Sequence, residues 1–142
     1  MTMTLDELAG AVHRLPSADA ACARRRLATE FGSARDGTAS WAMPAHRQRV
    51  SLARLWATIA GHATVLVTWT EAADTMDQPG VRRFGPTPVL ALATADLERG
   101  VDWLPEELVV FDGTFSWAAV FTADVDVDGP MLYLARPVLS ER

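Results

Sequence analysis

The sequence predicts a single α+β domain, residues 1–142, with N-terminal helices packed on one face of an antiparallel sheet of about five strands. Three observations favour this fold class. Helical periodicity dominates the first 60 residues, two-residue alternation recurs after residue 63, and Asp-Gly pairs separate the last apolar runs. A chain of 142 residues with 49% apolar residues is the size of one domain and can bury a core. The last three strands are predicted to form a meander.

Three helices are predicted before residue 61. Thr4 and Glu7 have the spacing of a capping box, and the helix that they open is expected to end at Pro16. A second helix is expected over residues 17–31, and a third over residues 44–60, where proline occupies the first position.

Alternating or continuous apolar runs predict the strands. The expected strands are residues 63–70, 88–94, 107–111, 114–122 and 131–136. Asp112-Gly113 predicts a type I′ turn between the third and fourth strands, because both central residues of that turn need positive φ. Alternation would place Phe115, Trp117, Ala119 and Phe121 on one face.

The segment 72–88 is predicted to be a loop. It contains three prolines and two glycines, too many for regular structure. Long loops in small domains often carry function. A small-ligand or enzyme site between this loop and the sheet is therefore an alternative hypothesis, with Asp77, Arg82 and Arg83 as its polar groups.

Charge is divided between the two halves of the chain. Residues 1–62 have eight arginines against five acids, a net charge of +3, and residues 63–142 have five arginines against thirteen acids, a net charge of −8. Such a distribution steers encounters with charged partners. Lysine and asparagine are absent, which is typical of a high-GC genome.

Several classes of protein are not expected. Cys22 is the only cysteine, so no internal disulfide can form. The N-terminus lacks the features of a signal peptide, and no apolar run is long enough for a membrane span, so we expect a cytoplasmic protein with no membrane partner. Two arginine-rich clusters, residues 24–26 and 46–49, suit ordinary helix surfaces, and the acidic total argues against nucleic acid as a partner.

Residues 124–129 have the pattern D-x-D-x-D-G, which opens a calcium-binding loop. The twelfth position is Ala135, where such a loop needs a bidentate glutamate. We therefore favour an acidic hairpin tip that binds no metal, with Asp124, Asp126 and Asp128 in solvent and the two intervening valines facing inward. A calcium-dependent module stays open as a third class.

The segment 104–122 reads L-P-E-E-L-V-V-F-D-G-T-F-S-W, followed by A-A-V-F-T. It resembles a stretch of small uncharacterised bacterial proteins, some of which are similar to immunity partners of polymorphic toxins. This resemblance covers 19 of the 142 residues, and it assigns no functional residue.

A non-enzymatic protein-binding role follows as the main hypothesis, because no catalytic motif or cofactor-binding pattern is present in the sequence. The resemblance makes an immunity-like protein the specific form of that hypothesis. The acidic second half would bind a basic protein partner, with Asp124, Asp126 and Asp128 as the charged contacts and Trp103 as an aromatic anchor at the rim. The sequence indicates neither a cofactor nor an oligomeric state.

Overall fold

The computed structural model describes residues 2–32, 44–70 and 77–138. Within these ranges there are five α-helices, one short 3-10 helix at Val101–Trp103 and nine strands. The helices are α1 Leu5–Ala11, α2 Ser17–Phe31, α3 Leu52–Ala60, α4 Pro79–Phe84 and α5 Thr94–Gly100. The strands are β1 His13–Arg14, β2 Arg47–Val50, β3 Thr64–Trp69, β4 Val89–Ala93, β5 Leu108–Phe111, β6 Ala118–Phe121, β7 Val125–Asp126, β8 Gly129–Pro130 and β9 Leu132–Ala135.

Seven of these strands form one antiparallel sheet in the order β1-β4-β3-β5-β6-β9-β2. The α+β class is therefore confirmed, and β5, β6 and β9 are neighbours as the predicted meander requires. The strands β1 and β2 lie outside the five that the sequence predicts, and they extend the sheet to seven. β7 and β8 form a separate two-stranded ribbon between β6 and β9.

The sheet is covered on both faces. On β3, Val65, Val67 and Trp69 point to what we call the first face, where they pack with the apolar residues of α1, α3, α4 and α5. The second face carries a separate cluster around α2. That cluster consists of Ala20, Phe31, Val89, Val109, Phe111, Phe115, Ala118 and Ala135.

The prediction that all N-terminal helices share one face is therefore wrong for α2. The central strand β5 is buried along its whole length, and both of its faces are apolar. Because a half-exposed apolar face would be unfavourable, the second face needs its own helix. Arg24 of α2 contributes to this contact, since its Nη1 donates to Thr68 Oγ1 at 2.5 Å and to the carbonyl oxygen of Trp69 at 2.6 Å.

Helix boundaries follow their caps. The Thr4–Glu7 capping box is present: Thr4 N donates to Glu7 Oε1 at 2.8 Å, and Glu7 N donates to Thr4 Oγ1 at 3.1 Å. The first helix nevertheless ends at Ala11 instead of Pro16, because the next residues pair with β4 as strand β1.

The third helix is shorter than predicted. It begins at Leu52, where Ser51 Oγ accepts from Arg54 N at 3.2 Å, and not at Pro44. Residues Arg47–Val50 pair instead with β9, so tertiary hydrogen bonding overrides the helical periodicity of this segment.

The predicted loop 72–88 contains a helix in its described part. Residues 71–76 lie outside the described residues, and Pro79–Phe84 form α4. Pro79 takes the first position of this helix and Gly85 ends it with a φ of 82°. Proline and glycine here are helix boundary signals, so the prediction of irregular structure is wrong for this part.

The connection between β5 and β6 is longer than a two-residue turn. β6 begins at Ala118 instead of residue 114, and Gly113 has no positive φ. The left-handed residue is Phe115, with a φ of 57°. The carboxylate of Asp112 organises this loop by accepting from Ser116 N at 2.9 Å and from the hydroxyls of Thr114 and Ser116 at 2.7 and 2.8 Å.

The left-handed conformation of Phe115 also changes which face its ring joins. Phe115 packs on Phe111 in the second face, with ring centroids 5.4 Å apart, whereas Trp117 packs against the first face. The predicted common face for Phe115, Trp117, Ala119 and Phe121 is therefore wrong at Phe115, since alternation does not extend through a loop.

We expect Asp112→Ala to lower the free energy of unfolding by about 1 kcal/mol, the typical effect of losing a side-chain cap. Gly113→Val should change it by less than about 0.5 kcal/mol, because its φ is not positive and a Cβ added at this position would have no neighbouring atom within 4 Å. Urea denaturation of both variants tests this. A larger loss for Gly113→Val than for Asp112→Ala would support the two-residue turn.

A second prediction concerns the contact of α4 with the 3-10 helix. A Cβ at Gly80 would overlap the carbonyl oxygen of Trp103, so Gly80→Ala should cost about 1–3 kcal/mol through overpacking. Gly10→Ala is the matched control, because Gly10 is exposed in α1 with no atom within 4 Å, and it should be neutral or slightly stabilising. Equal melting temperatures for the two variants would contradict the packing.

Candidate functional site

The sheet register brings many acidic residues to one end of the molecule. Trp69, Leu108 and Phe121 lie opposite one another across β3, β5 and β6, and Val50 lies opposite Leu132 across β2 and β9. These residues are the last or first of their strands, so the connections between the strands begin or end just beyond this row. We call this end of the sheet, with its connections, the acidic end. The described carboxylates in the connections at this end include those of Asp77, Asp102, Glu106, Glu107, Asp124, Asp126 and Asp128, and the exposed cations Arg82 and Arg83 lie in the β3–β4 connection at the same end.

A β-hairpin, residues 122–131, projects from the acidic end. Val125 pairs with Pro130 and Asp126 pairs with Gly129, so the turn consists of residues 127 and 128. Two hydrogen bonds close the base of the hairpin. Met131 N donates to the backbone carbonyl oxygen of Asp124 at 2.9 Å, and Thr122 Oγ1 donates to the backbone carbonyl oxygen of Met131 at 2.7 Å.

Arg49 fastens this hairpin to the edge strand β2. Its Nη1 donates to Asp126 Oδ2 at 2.5 Å and its Nη2 donates to Asp126 Oδ1 at 2.6 Å, which is a bidentate pair. Nη2 also donates to the carbonyl oxygen of Gly129 at 3.1 Å. One guanidinium therefore contacts both strands of the hairpin and joins the hairpin to the sheet edge.

The pair changes the titration of both partners. The hydrogen bonds from Arg49 lower the pKa of Asp126 from 3.8 to about 2, and the amide of Asp128 adds to this effect. In return, hydrogen bonding to Asp126 raises the pKa of Arg49. Both groups are therefore ionised throughout the physiological pH range.

The two valines of the hairpin face solvent. Val125 is 70% exposed and Val127 is fully exposed, so the prediction that they point inward is wrong. Alternation in a strand separates two faces but does not say which face is buried. Here the carboxylate side faces Arg49, and the apolar side is left outside.

The three predicted partner-binding aspartates therefore differ in their surroundings. Asp124 and Asp128 are exposed at the hairpin, where they are available to a partner. Asp126 is bound to Arg49 within the chain, so its main contact is structural. Binding by these residues stays a prediction.

Trp103 belongs more to the core than to a rim. It lies in the 3-10 helix and is half-buried, and its Nε1 donates to the carbonyl oxygen of Met3 at 2.8 Å. Its ring also packs against the first-face core. The side chain therefore ties the start of the chain to the acidic end, and only part of the ring is accessible to a partner.

The alternative ligand-binding residues lie on the outer surface of α4 and just before it. Arg82 Nη1 is 2.6 Å from Asp77 Oδ1, and these side chains are 67% and 85% exposed. Arg83 is exposed on the same helix, while Val81 and Phe84 face the core. The structure brings Asp77 and Arg82 together in solvent, and not between the loop and the sheet.

Metal binding and membrane spanning can be assessed for residues 2–32, 44–70 and 77–138. In these ranges, no three or more histidine, cysteine, aspartate or glutamate side chains are grouped so as to hold a metal ion. None of the helices in the same ranges combines the length and apolar character that crossing a membrane requires.

Arg49 is the site residue that sequence reasoning misses, and the exposure of the two valines is the property that it assigns wrongly. Helical periodicity places Arg49 on a helix, and its partner Asp126 is 77 residues away. A sequence signal is present in the R-Q-R-V pattern, which alternates as an edge strand with charged residues does. The contact between Arg49 and Asp126 itself has no signal in the sequence near either residue.

No protein-family model, no curated protein and no solved structure matches this chain. The function of the hairpin therefore has to follow from its own geometry and charge.

We expect Arg49→Met to raise the pKa of Asp126 from about 2 towards 3.8, because the hydrogen bonds that favour the carboxylate are lost. In the wild type, the lowered pKa means that this pair stabilises the folded hairpin above pH 3.8, and that the contribution is lost as the pH falls through 2. A carbon-detected NMR titration of the Asp126 carboxylate measures the shift.

Arg47→Met is the matched control for this titration. Arg47 lies on the same strand with its guanidinium over the ring of Tyr133, 5.6 Å from the centroid. The pKa of Asp126 should stay near 2 in that variant. An unchanged pKa in Arg49→Met would contradict the bidentate pair.

Proposed function

We propose that this chain is a non-enzymatic binding domain that captures a basic protein partner through its acidic end, in an immunity-like role. The observation that carries the proposal is the hairpin at residues 122–131, which is held by Arg49 and presents exposed Asp124 and Asp128. The proposed binding requires no cofactor.

Charge supports a basic partner. The net charge of residues 63–142 is −8, and the sheet register collects many of these carboxylates at one end. A surface on which carboxylates outnumber cations raises the encounter rate with a partner of the opposite charge. The same surface repels phosphates, so nucleic acid is not the expected partner at this end.

Rigidity supports a binding role for the hairpin. An isolated two-stranded ribbon is only marginally stable, and ordering a mobile loop on binding reduces affinity. Here the bidentate pair and the hydrogen bonds at the base order the ribbon within the chain itself. The hairpin would therefore bind with little further loss of conformational entropy.

An immunity-like protein would need such a surface. Toxins that act on nucleic acid carry basic surfaces because their substrate is a polyanion. A rigid acidic hairpin could occupy such a surface in place of the nucleic acid. This specific role adds to the more general proposal of protein binding, and the same capture experiment tests both.

The test begins with affinity capture from the source cells and identification of the retained protein, followed by surface binding kinetics at two salt concentrations. The association rate should fall steeply as salt rises, while the dissociation rate changes less. Asp124→Ser with Asp128→Ser should lower the association rate by on the order of tenfold at low salt. Asp126 is retained in this variant because it holds the hairpin.

Asp19→Ser is the control for general charge. Asp19 is an exposed carboxylate in the first turn of α2, which follows the edge strand β1, whereas Arg49 holds the hairpin at the opposite edge of the sheet on β2, so the loss of Asp19 should have a much smaller effect. Failure to retain any basic protein, or an association rate independent of salt, would refute the proposal.

A further inference from the structure

The hairpin at residues 122–131 has two chemically different faces. Val125 lies directly opposite Pro130, and cross-strand neighbours share a face. Asp126, one residue along, points to the other face and to Arg49. Pro130 is exposed, as is Val127 at the tip. Val125 and Pro130 therefore form an apolar face turned away from Arg49, and with Val127 at the tip they make up what we define as the apolar strip.

Exposed apolar side chains concentrate at this end of the molecule. In the described residues, four large hydrophobic side chains are exposed: Leu52, Val125, Val127 and Val138. Two of them are in the strip. Leu52 lies two residues after Val50, beyond the sheet row that defines the acidic end. Single exposed apolar residues are ordinary, whereas contiguous exposed apolar patches are typical of interaction sites.

We infer that the apolar strip is the anchor of the proposed interface, and that it inserts into an apolar hollow on a basic protein, rimmed by cations that meet Asp124 and Asp128. This inference rests on the proposed function, and it adds the chemistry of the surface that the partner must present. Charge complementarity selects the partner, because the valines are flanked by carboxylates at positions 124 and 128.

The two components of the surface should act on different rate constants. Exposed carboxylates steer the encounter and act mainly on association. Apolar side chains that become buried in the complex act mainly on dissociation, as most interface contacts do. The strip and the aspartates can therefore be separated by kinetics, even though they alternate along one segment.

Arg49 makes the strip available. The guanidinium binds the carboxylate side of the hairpin, so that the opposite side cannot fold back against β2. The cost of exposing two valines in the unbound protein is then recovered when the partner covers them. This explains why the hairpin is ordered by a polar contact and not by its own apolar residues.

The experiment uses the protein identified by affinity capture as the probe and compares the intact chain with Val125→Thr, Val127→Thr. Threonine is similar in shape and keeps the β-propensity of valine, but it adds a hydroxyl that is unfavourable in an apolar hollow. The dissociation rate should rise at least about tenfold, with the association rate within about twofold of the wild type.

Val138→Thr is the matched control, because Val138 is an exposed valine next to Glu30 and Gly32, away from the hairpin. It should leave both rates unchanged. If the partner dissociates from the double variant at the wild-type dissociation rate, this inference is overturned while the proposed function stands. If the intact chain retains no basic protein, the proposed function fails and the inference fails with it. Unchanged thermal unfolding of the double variant confirms that the fold is retained.

Discussion

Strand β5 lies at the centre of the sheet and is buried along its whole length, with Leu108 and Val110 on the first face and Val109 and Phe111 on the second. A strand of this composition is stable only if both faces of the sheet are shielded from water. This requirement explains why α2 separates from the other helices and crosses to the second face. It also explains why an aromatic residue of the β5–β6 loop is held in a left-handed conformation: Phe115 completes the second-face cluster.

A sheet covered on both faces leaves its ends, and its edges where unpaired, as the natural places for function. At the acidic end, the connections of β5, β6 and β9 carry carboxylates, and none of these residues is needed in the core. The hairpin between β6 and β9 can therefore vary in chemistry without disturbing the sheet. Its stability comes instead from Arg49, which reaches it from the sheet edge, and from hydrogen bonds at its base.

The hairpin combines two features that are normally in conflict in an unbound protein, since it is well ordered and yet exposes apolar side chains. Preorganisation by a polar pair resolves this conflict, because the ordering interaction lies on the face opposite to the exposed one. Surfaces of this kind favour tight association, as the partner does not have to order a loop. In the proposed interface, the carboxylates beside the valines would limit contact with partners that are not basic. Electrostatics and apolar contact would thus have separate roles within one short segment.

Local chemistry is enough to predict much of this protein. The Thr4–Glu7 capping box, the alternation of β3 and the apolar runs of β4, β5 and β9 depend on residues close in sequence, and all of them occur in the structure. The sequence by itself also determined the division of charge and the acidic character of the segment at 124–128. Tertiary structure decided which strand lies at the edge, which face α2 covers and which side of the hairpin is exposed. Arg49 and Asp126 show the reason: their contact spans 77 residues, and its energy exists only after the sheet has brought β2 beside β9.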